Sequence, residues 1–236
     1  MPRQQTSNVD AWLKRETPRV RRALESASRH FDGNDHLTVN TLEAVYGQES
    51  GFGVLLGTRG SSQAAGHFQL KLDTAKRYGL SVSRKNDQRF DMDYASSAAA
   101  RYLKDLDTIF SKRTLLAEGK STIPIKDVSE RKEFVLGAFN AGEGRVAGAQ
   151  RLAKLAGKNS GLWADVEGFL EPAGAKKSSA DEARDYVEQV PLYEVEFATK
   201  SPADKTRKRK SPGRSKYRCT EGHWVTVDDR PVFICA

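Results

Sequence analysis

Tyr46-Gly47-Gln48-Glu49-Ser50-Gly51-Phe52-Gly53 closes a run with helical spacing. Leu42, Val45, Tyr46 and Glu49 fall at i, i+3, i+4 and i+7, so they share one helix face. The other three members are apolar. The carboxyl of Glu49 is therefore expected on the core-facing side, just before the glycines stop the helix. Partial burial disfavours the ionised form and raises the pKa. A general acid working near neutral pH needs that condition. The structural alternative is a half-solvated glutamate at a helix C-terminus with no chemical role. From spacing alone, that alternative is the commoner case.

Outward from this stretch the chain reads as mainly α-helical. Thr17-Pro18 is a helix entry, with Thr as N-cap and Pro at the first helical position. Val20, Leu24, Ala27 and Phe31 carry that helix to about Phe31. The Glu49 helix is expected over about 40–50. Residues 51–66 follow with five glycines, a long connection for a helical protein and a place for a binding loop. Further helices are predicted near 73–78, 95–110, 133–141, 145–156 and 179–190, with a charged loop over 83–89. From Trp224 to Ile234 two β-branched runs flank the polar turn Asp228-Asp229-Arg230, which predicts a small C-terminal β-hairpin.

The net charge of +8 is concentrated. Between Lys200 and Arg218 lie nine of the 39 basic residues and one of the 31 acids, leaving 30 of each elsewhere. The body is thus neutral and the basicity belongs to a linker. Its cluster, residues 205–210, has three readings: contact with an anionic cell wall or lipid, contact with nucleic acid, or a solvated spacer. Both cysteines, Cys219 and Cys235, fall in the last 18 residues, where they either staple the hairpin or stay reduced. No apolar run approaches the roughly 18 residues of a membrane span. Residues 1–10 lack the apolar core of a secretory signal. His30, His36, His67 and His223 show no metal-ligand spacing, and no dinucleotide or P-loop fingerprint occurs, so no cofactor is expected. The expected layout is a flexible segment over 1–17, a catalytic domain over 18–199, a basic linker over 200–218 and a hairpin module over 219–236.

Six pieces of sequence, in order, carry a resemblance. Glu49-Ser50-Gly51-Phe52 resembles the Glu-Ser signature of family 1 lytic transglycosylases, lysozyme-like enzymes that cut bacterial peptidoglycan. Ala64-Ala65-Gly66-His67-Phe68-Gln69 resembles their Gly-Leu-Met-Gln segment, and Asp73-Thr74-Ala75 the Thr-Ala that follows. Ala99-Ala100-Arg101-Tyr102-Leu103 is similar to their Ala-x-x-Tyr-Leu helix. Ala138-Phe139-Asn140-Ala141-Gly142 resembles Ala-Tyr-Asn-Ala-Gly, and Glu182-Ala183-Arg184-Asp185-Tyr186-Val187 the late Glu-Thr-x-x-Tyr-Val. The chain departs from the family at Phe139, where the usual hydroxyl is missing, and at His67-Phe68 in place of Leu-Met. The hairpin end is also similar to short terminal segments of bacteriophage-associated proteins.

The resemblance implies a lysozyme-like helical fold with a groove between lobes. It implies cleavage of the β-1,4 bond between N-acetylmuramic acid and N-acetylglucosamine in peptidoglycan glycan strands. Glu49 would serve first as acid and then as base, closing a 1,6-anhydro ring on the muramic residue. Ser61, Ser62, Phe68, Gln69, Phe139, Asn140 and Tyr186 would line the sugar groove or support Glu49. Most glycosidases flank the bond with two carboxylates. No second acid stands out in the sequence. Asp73, Asp87, Asp91 and Asp93 read as caps or solvated surface acids, and this lack favours transglycosylation over hydrolysis. Two other readings stay open: a lysozyme-type hydrolase using water, and a virion or secretion-apparatus protein that keeps the fold as a sugar-binding module. The expected location is the cell wall, in the periplasm, outside the cell or on a virion, after synthesis in the cytoplasm.

Overall fold

The structure, a computed structural model of the chain, describes residues 7–200 and the strand residues 222–227 and 230–235. The chain divides into two units between Lys200 and Ser201. The first is helical. Nine α-helices are found among its described residues: α1 (Asn8–Leu13), α2 (Pro18–Ala27), α3 (Val39–Ser50), α4 (Leu72–Arg77), α5 (Met92–Ser111), α6 (Val128–Ala141), α7 (Glu143–Leu155), α8 (Trp163–Val166) and α9 (Lys177–Lys200). Helices α3 and α6 both pack on α9, and α5 packs between α6 and α2. Between them lie Leu24, Leu42, Tyr46, Leu103, Leu106, Phe110, Phe134 and Leu136, all fully buried. Small residues on α5 (Ala95, Ala98, Ala99 and Ala100) let its neighbours approach closely.

Helix boundaries follow the capping chemistry. The Thr17 hydroxyl accepts from the Val20 amide, with Pro18 opening the helix as expected. Thr38 and Thr41 cap α3 reciprocally. At its other end Gly51 takes the left-handed conformation (φ 59°) that ends the helix, and its amide bonds back to the Gly47 carbonyl. Asp127 caps α6 through the Ser129 and Glu130 amides, so that helix starts five residues before the predicted position 133.

Three expectations are corrected. Residues 8–13, read as part of a loose start, form α1. Ser7 caps it, and Val9 and Trp12 are buried. The Trp12 indole packs edge-on against Tyr193 and stacks near Phe52 and Phe197. Gly47 makes room for it, since a Cβ there would lie 2.4 Å from the indole. Helix α9 runs ten residues beyond the predicted end at 190. Pro191 lies inside it and gives up one backbone bond, but burial of Val190 and Phe197 carries the helix past this point. Lys200 belongs to this unit rather than to a linker, because its ammonium bonds Asp10 at 2.8 Å. The charged loop at 83–89 closes on a fully buried ion pair, Arg89–Asp87 at 2.8 Å. Arg89 also donates to the carbonyls of Ser61, Gln63 and Leu70, and Asp87 accepts from the Gly60 amide. The pair thus ties the glycine-rich loop to the body, and losing one partner of such a pair costs about 3–5 kcal/mol.

In the second unit β1 (Gly222–Val227) and β2 (Arg230–Cys235) pair antiparallel, with Trp224 opposite Phe233 and Gly222 opposite Cys235. Cys219, the basic cluster 205–210 and the turn residues 228 and 229 lie outside the described residues, and so does the Cys219–Cys235 bridge.

Trp12→Ala is expected to lower the unfolding free energy by about 3–5 kcal/mol in denaturant titrations. Leu155→Ala, at a side chain 72% exposed, is expected to shift it by less than about 0.5 kcal/mol.

Candidate active site

Glu49 occupies the last turn of α3, where the negative end of the helix dipole opposes a carboxylate. The next residue holds that helix end against the glycine-rich loop. The Ser50 hydroxyl donates toward the His67 carbonyl at 2.8 Å and accepts from the Gly53 amide at 3.1 Å. Phe52, also left-handed at φ 61°, is buried between Tyr46 and Phe197. The chain therefore turns sharply after Glu49 and leaves the carboxyl on the wall of a cavity of about 540 Å³.

The wall opposite comes from α9 and α6. Tyr186 is fully buried, and its hydroxyl lies against the Glu49 carboxyl. Burial pushes the Glu49 pKa from the ordinary 4.5 up to about 8; the Tyr186 hydroxyl pulls against this, and the charge of Glu182 adds to it. Burial likewise drives the Tyr186 phenol well above its usual range, with Glu49 contributing. Glu49 is therefore protonated at neutral pH and has an undissociated phenol beside it.

Glu143, at the start of α7, shows the opposite behaviour in the same cavity. Burial alone would raise it, but Arg77 at 2.7 Å and the Tyr102 hydroxyl at 3.0 Å hold it below the ordinary carboxylate range. Two carboxyls pushed apart in this way separate a proton donor from a fixed anion.

The sequence-predicted residues divide. Glu49, Gln69, Phe139, Asn140 and Tyr186 all line the cavity. The Gln69 amide donates to the carbonyls of Leu55 and Gly66 at 2.9 and 2.8 Å, which fixes its backbone at φ 43°. The Asn140 amide reaches Glu182 at 3.4 Å. Phe139 contacts the rings of Tyr102 and Tyr186.

Ser61, Ser62 and Phe68 are not part of the lining. The Ser61 hydroxyl turns the loop by accepting from the Gln63 amide, and its carbonyl is taken by Arg89; Ser62 is exposed. Phe68 is core, 1% exposed and stacked on Tyr46. His67 is also turned away, with its ring against the Tyr46 hydroxyl at 3.2 Å.

The lack of a second acid is likewise corrected, because Asp73, Glu143 and Glu182 all reach the cavity. Each stood in a recognisable sequence segment, but only the fold shows that the segments converge. Asp87 is buried with Arg89, while Asp91 caps α5 and joins Asp93 in pairing with Arg19. Arg77 and Lys71 also line the wall, and nothing in the sequence marked them out.

A helical scaffold with a polar cleft, one protonated carboxyl and amide-bearing walls defines a site suited to general-acid chemistry on a polar, ring-bearing substrate. The chain belongs to the transglycosylase SLT domain family, whose family model matches residues 28–160. The match takes in Glu49, Gln69 and Asn140 and stops before Tyr186. Membrane-bound lytic murein transglycosylase D of Escherichia coli K12 is 29% identical over 102 residues, 43% of this chain. The same protein of strain O6:H1 matches equally. The matched stretch spans 19% of the length of these relatives. Among the described residues no helix is long and apolar enough to cross a membrane, and no group of His, Cys, Asp or Glu is arranged to hold a metal ion.

Between about pH 4.5 and 8 the folded chain keeps a proton on Glu49 that the unfolded chain has released. Stability is therefore lost as pH rises through that window. Glu49→Gln is expected to flatten this decline, as read from denaturant midpoints at pH 5, 6.5 and 8.

Proposed function

We propose that the protein is a peptidoglycan lytic transglycosylase that cleaves the β-1,4 bond from N-acetylmuramic acid to N-acetylglucosamine. The observation that carries this reading is the Glu49 carboxyl, held protonated in a large polar cavity within the stretch that matches the SLT family. In the first step Glu49 gives its proton to the bridging oxygen as the C1–O4 bond breaks. The 2-acetamido group of the muramic residue shares the positive charge at C1. Glu49, now a carboxylate, takes the proton of the C6 hydroxyl while O6 bonds to C1. The 1,6-anhydro ring closes, and Glu49 ends protonated as it began.

One carboxyl serving both as acid and as base is best placed when its pKa lies near the working pH. The Tyr186 hydroxyl, set against the Glu49 carboxyl, stabilises the carboxylate as it forms. Glu182 favours a positive sugar ring in the cavity, and the amides of Gln69 and Asn140 suit acetamido and hydroxyl groups. The relatives' name supports murein as the substrate class. The proposal includes the layout read from the sequence: a helical catalytic unit, the basic segment with its 205–210 cluster as a polyanion contact, and the terminal hairpin as an accessory module. It places the activity at the cell wall.

A hydrolase reading is favoured by one observation, the presence of Glu182 close enough to raise Glu49. A second carboxylate is what an enzyme that activates water requires.

Digestion of purified peptidoglycan followed by mass spectrometry of the fragments separates the two. The proposal expects 1,6-anhydromuramic ends, and expects Glu49→Gln to lose at least about a hundredfold in rate. Reducing muramic ends would establish the hydrolase. Full activity in Glu49→Gln would remove both readings.

A further inference from the structure

A second cavity, of about 270 Å³, is lined by His30, Arg77, Tyr78, Arg101, Lys104 and Asp105. Two of its cations are already matched. Lys104 is paired with Asp32 and Asp35, and Arg77 with Glu143. Arg101 and Asp105 are not. Of its five N–H groups, Arg101 spends two, on the carbonyls of Tyr78 and Ser97, and among the described residues it meets no carboxylate. Asp105 accepts from the Tyr78 hydroxyl at 2.9 Å and among the described residues meets no cation.

The two stand four residues apart on α5, the spacing at which opposite charges on a helix commonly pair. Here both are held by Tyr78 instead. The guanidinium lies 5.8 Å from the centre of its ring, and the carboxylate is on its hydroxyl. The result is an open cation and an open anion, side by side, at the mouth of a cavity.

We propose that this cavity binds a zwitterionic end group, a free α-ammonium with its α-carboxylate, with Arg101 taking the carboxylate and Asp105 the ammonium. Resting on the reading of peptidoglycan as substrate, the ligand is a stem peptide whose diamino-dicarboxylic residue carries such an uncross-linked end. The distance is suitable. Arg77 lines both cavities, and Tyr78 of this one lies 5.3 Å, centre to centre, from Tyr102 of the main one. An extended peptide advances about 3.3–3.6 Å per residue, so a stem of a few residues is long enough to leave the main cavity for its neighbour. The site would make the enzyme sensitive to stem chemistry, and it would lose contact with stems whose free end is consumed in a cross-link.

Calorimetric titration of the whole chain with two free stem tetrapeptides tests this. One carries the diamino-dicarboxylic residue and the other lysine, which keeps the ammonium but lacks the carboxylate. The first is expected to bind at least about tenfold more tightly. Arg101→Gln, which keeps a donor for the Tyr78 carbonyl, is expected to abolish that preference, and Asp105→Asn to weaken both peptides at least about tenfold while leaving it, neither slowing cleavage of glycans stripped of peptides. Equal binding of the two peptides, an Arg101→Gln chain that keeps the preference, or an Asp105→Asn chain that binds both peptides as tightly as the wild type would overturn the proposal. Peptide binding is read without turnover. A wild-type chain that discriminates between the peptides but cuts no glycan would therefore count against the transglycosylase reading and not against this site.

Discussion

Desolvation of one carboxyl is the constraint on which the rest depends. An acid at the C-terminal end of a helix is opposed by the dipole, and burial opposes its ionisation further. The chain meets both costs by leaving the proton on Glu49. Everything around it keeps that arrangement in place. Gly51 ends α3 immediately after the carboxyl, Ser50 ties the helix end to the returning loop, and α9 sets Tyr186 against the carboxyl. The Arg89–Asp87 pair fixes the loop that completes the wall. It does so from outside the cavity, with its charges matched to each other and to backbone carbonyls, so that it adds no field of its own to the reacting centre.

The cavity handles its charges by separation. Glu143 is ionised because Arg77 and Tyr102 hold it so, and Glu49 is neutral because burial outweighs the Tyr186 hydroxyl. A sugar ring that gains positive charge would sit beside a donor that has just become an anion, with Glu182 near it. That distribution suits breakage of a glycosidic bond whether the second step uses the sugar's own hydroxyl or water. The surroundings of the two carboxyls explain why one keeps its proton and the other does not.

Much of this was legible in the sequence for a simple reason: short-range rules govern helix ends. Thr17-Pro18 and the glycines after Glu49 mark boundaries that the structure keeps, and the period of Leu42, Val45 and Tyr46 placed Glu49 on the inner face. What failed was long-range. Nothing local told Asp87 and Arg89 that the Gly60 amide and the carbonyls of Ser61, Gln63 and Leu70 would enclose them, or told Trp12 that a glycine on α3 and two aromatics on α9 would enclose it. Pro191 reads as a stop by local chemistry and is overridden by burial on either side. Ser61, Ser62 and Phe68 lie in a stretch that resembles the family's but serve the loop and core. Glu182 and Glu143 were visible as residues and reach the cavity only through the packing of α9 and α7.

The central claim is that Glu49 holds its proton at neutral pH because the fold desolvates it. Site-resolved NMR titration of the side-chain carboxyl carbons, with Glu49→Gln used to assign the signal, reads this directly. The account predicts a midpoint near 8 for Glu49. A midpoint at the ordinary 4.5 would contradict it.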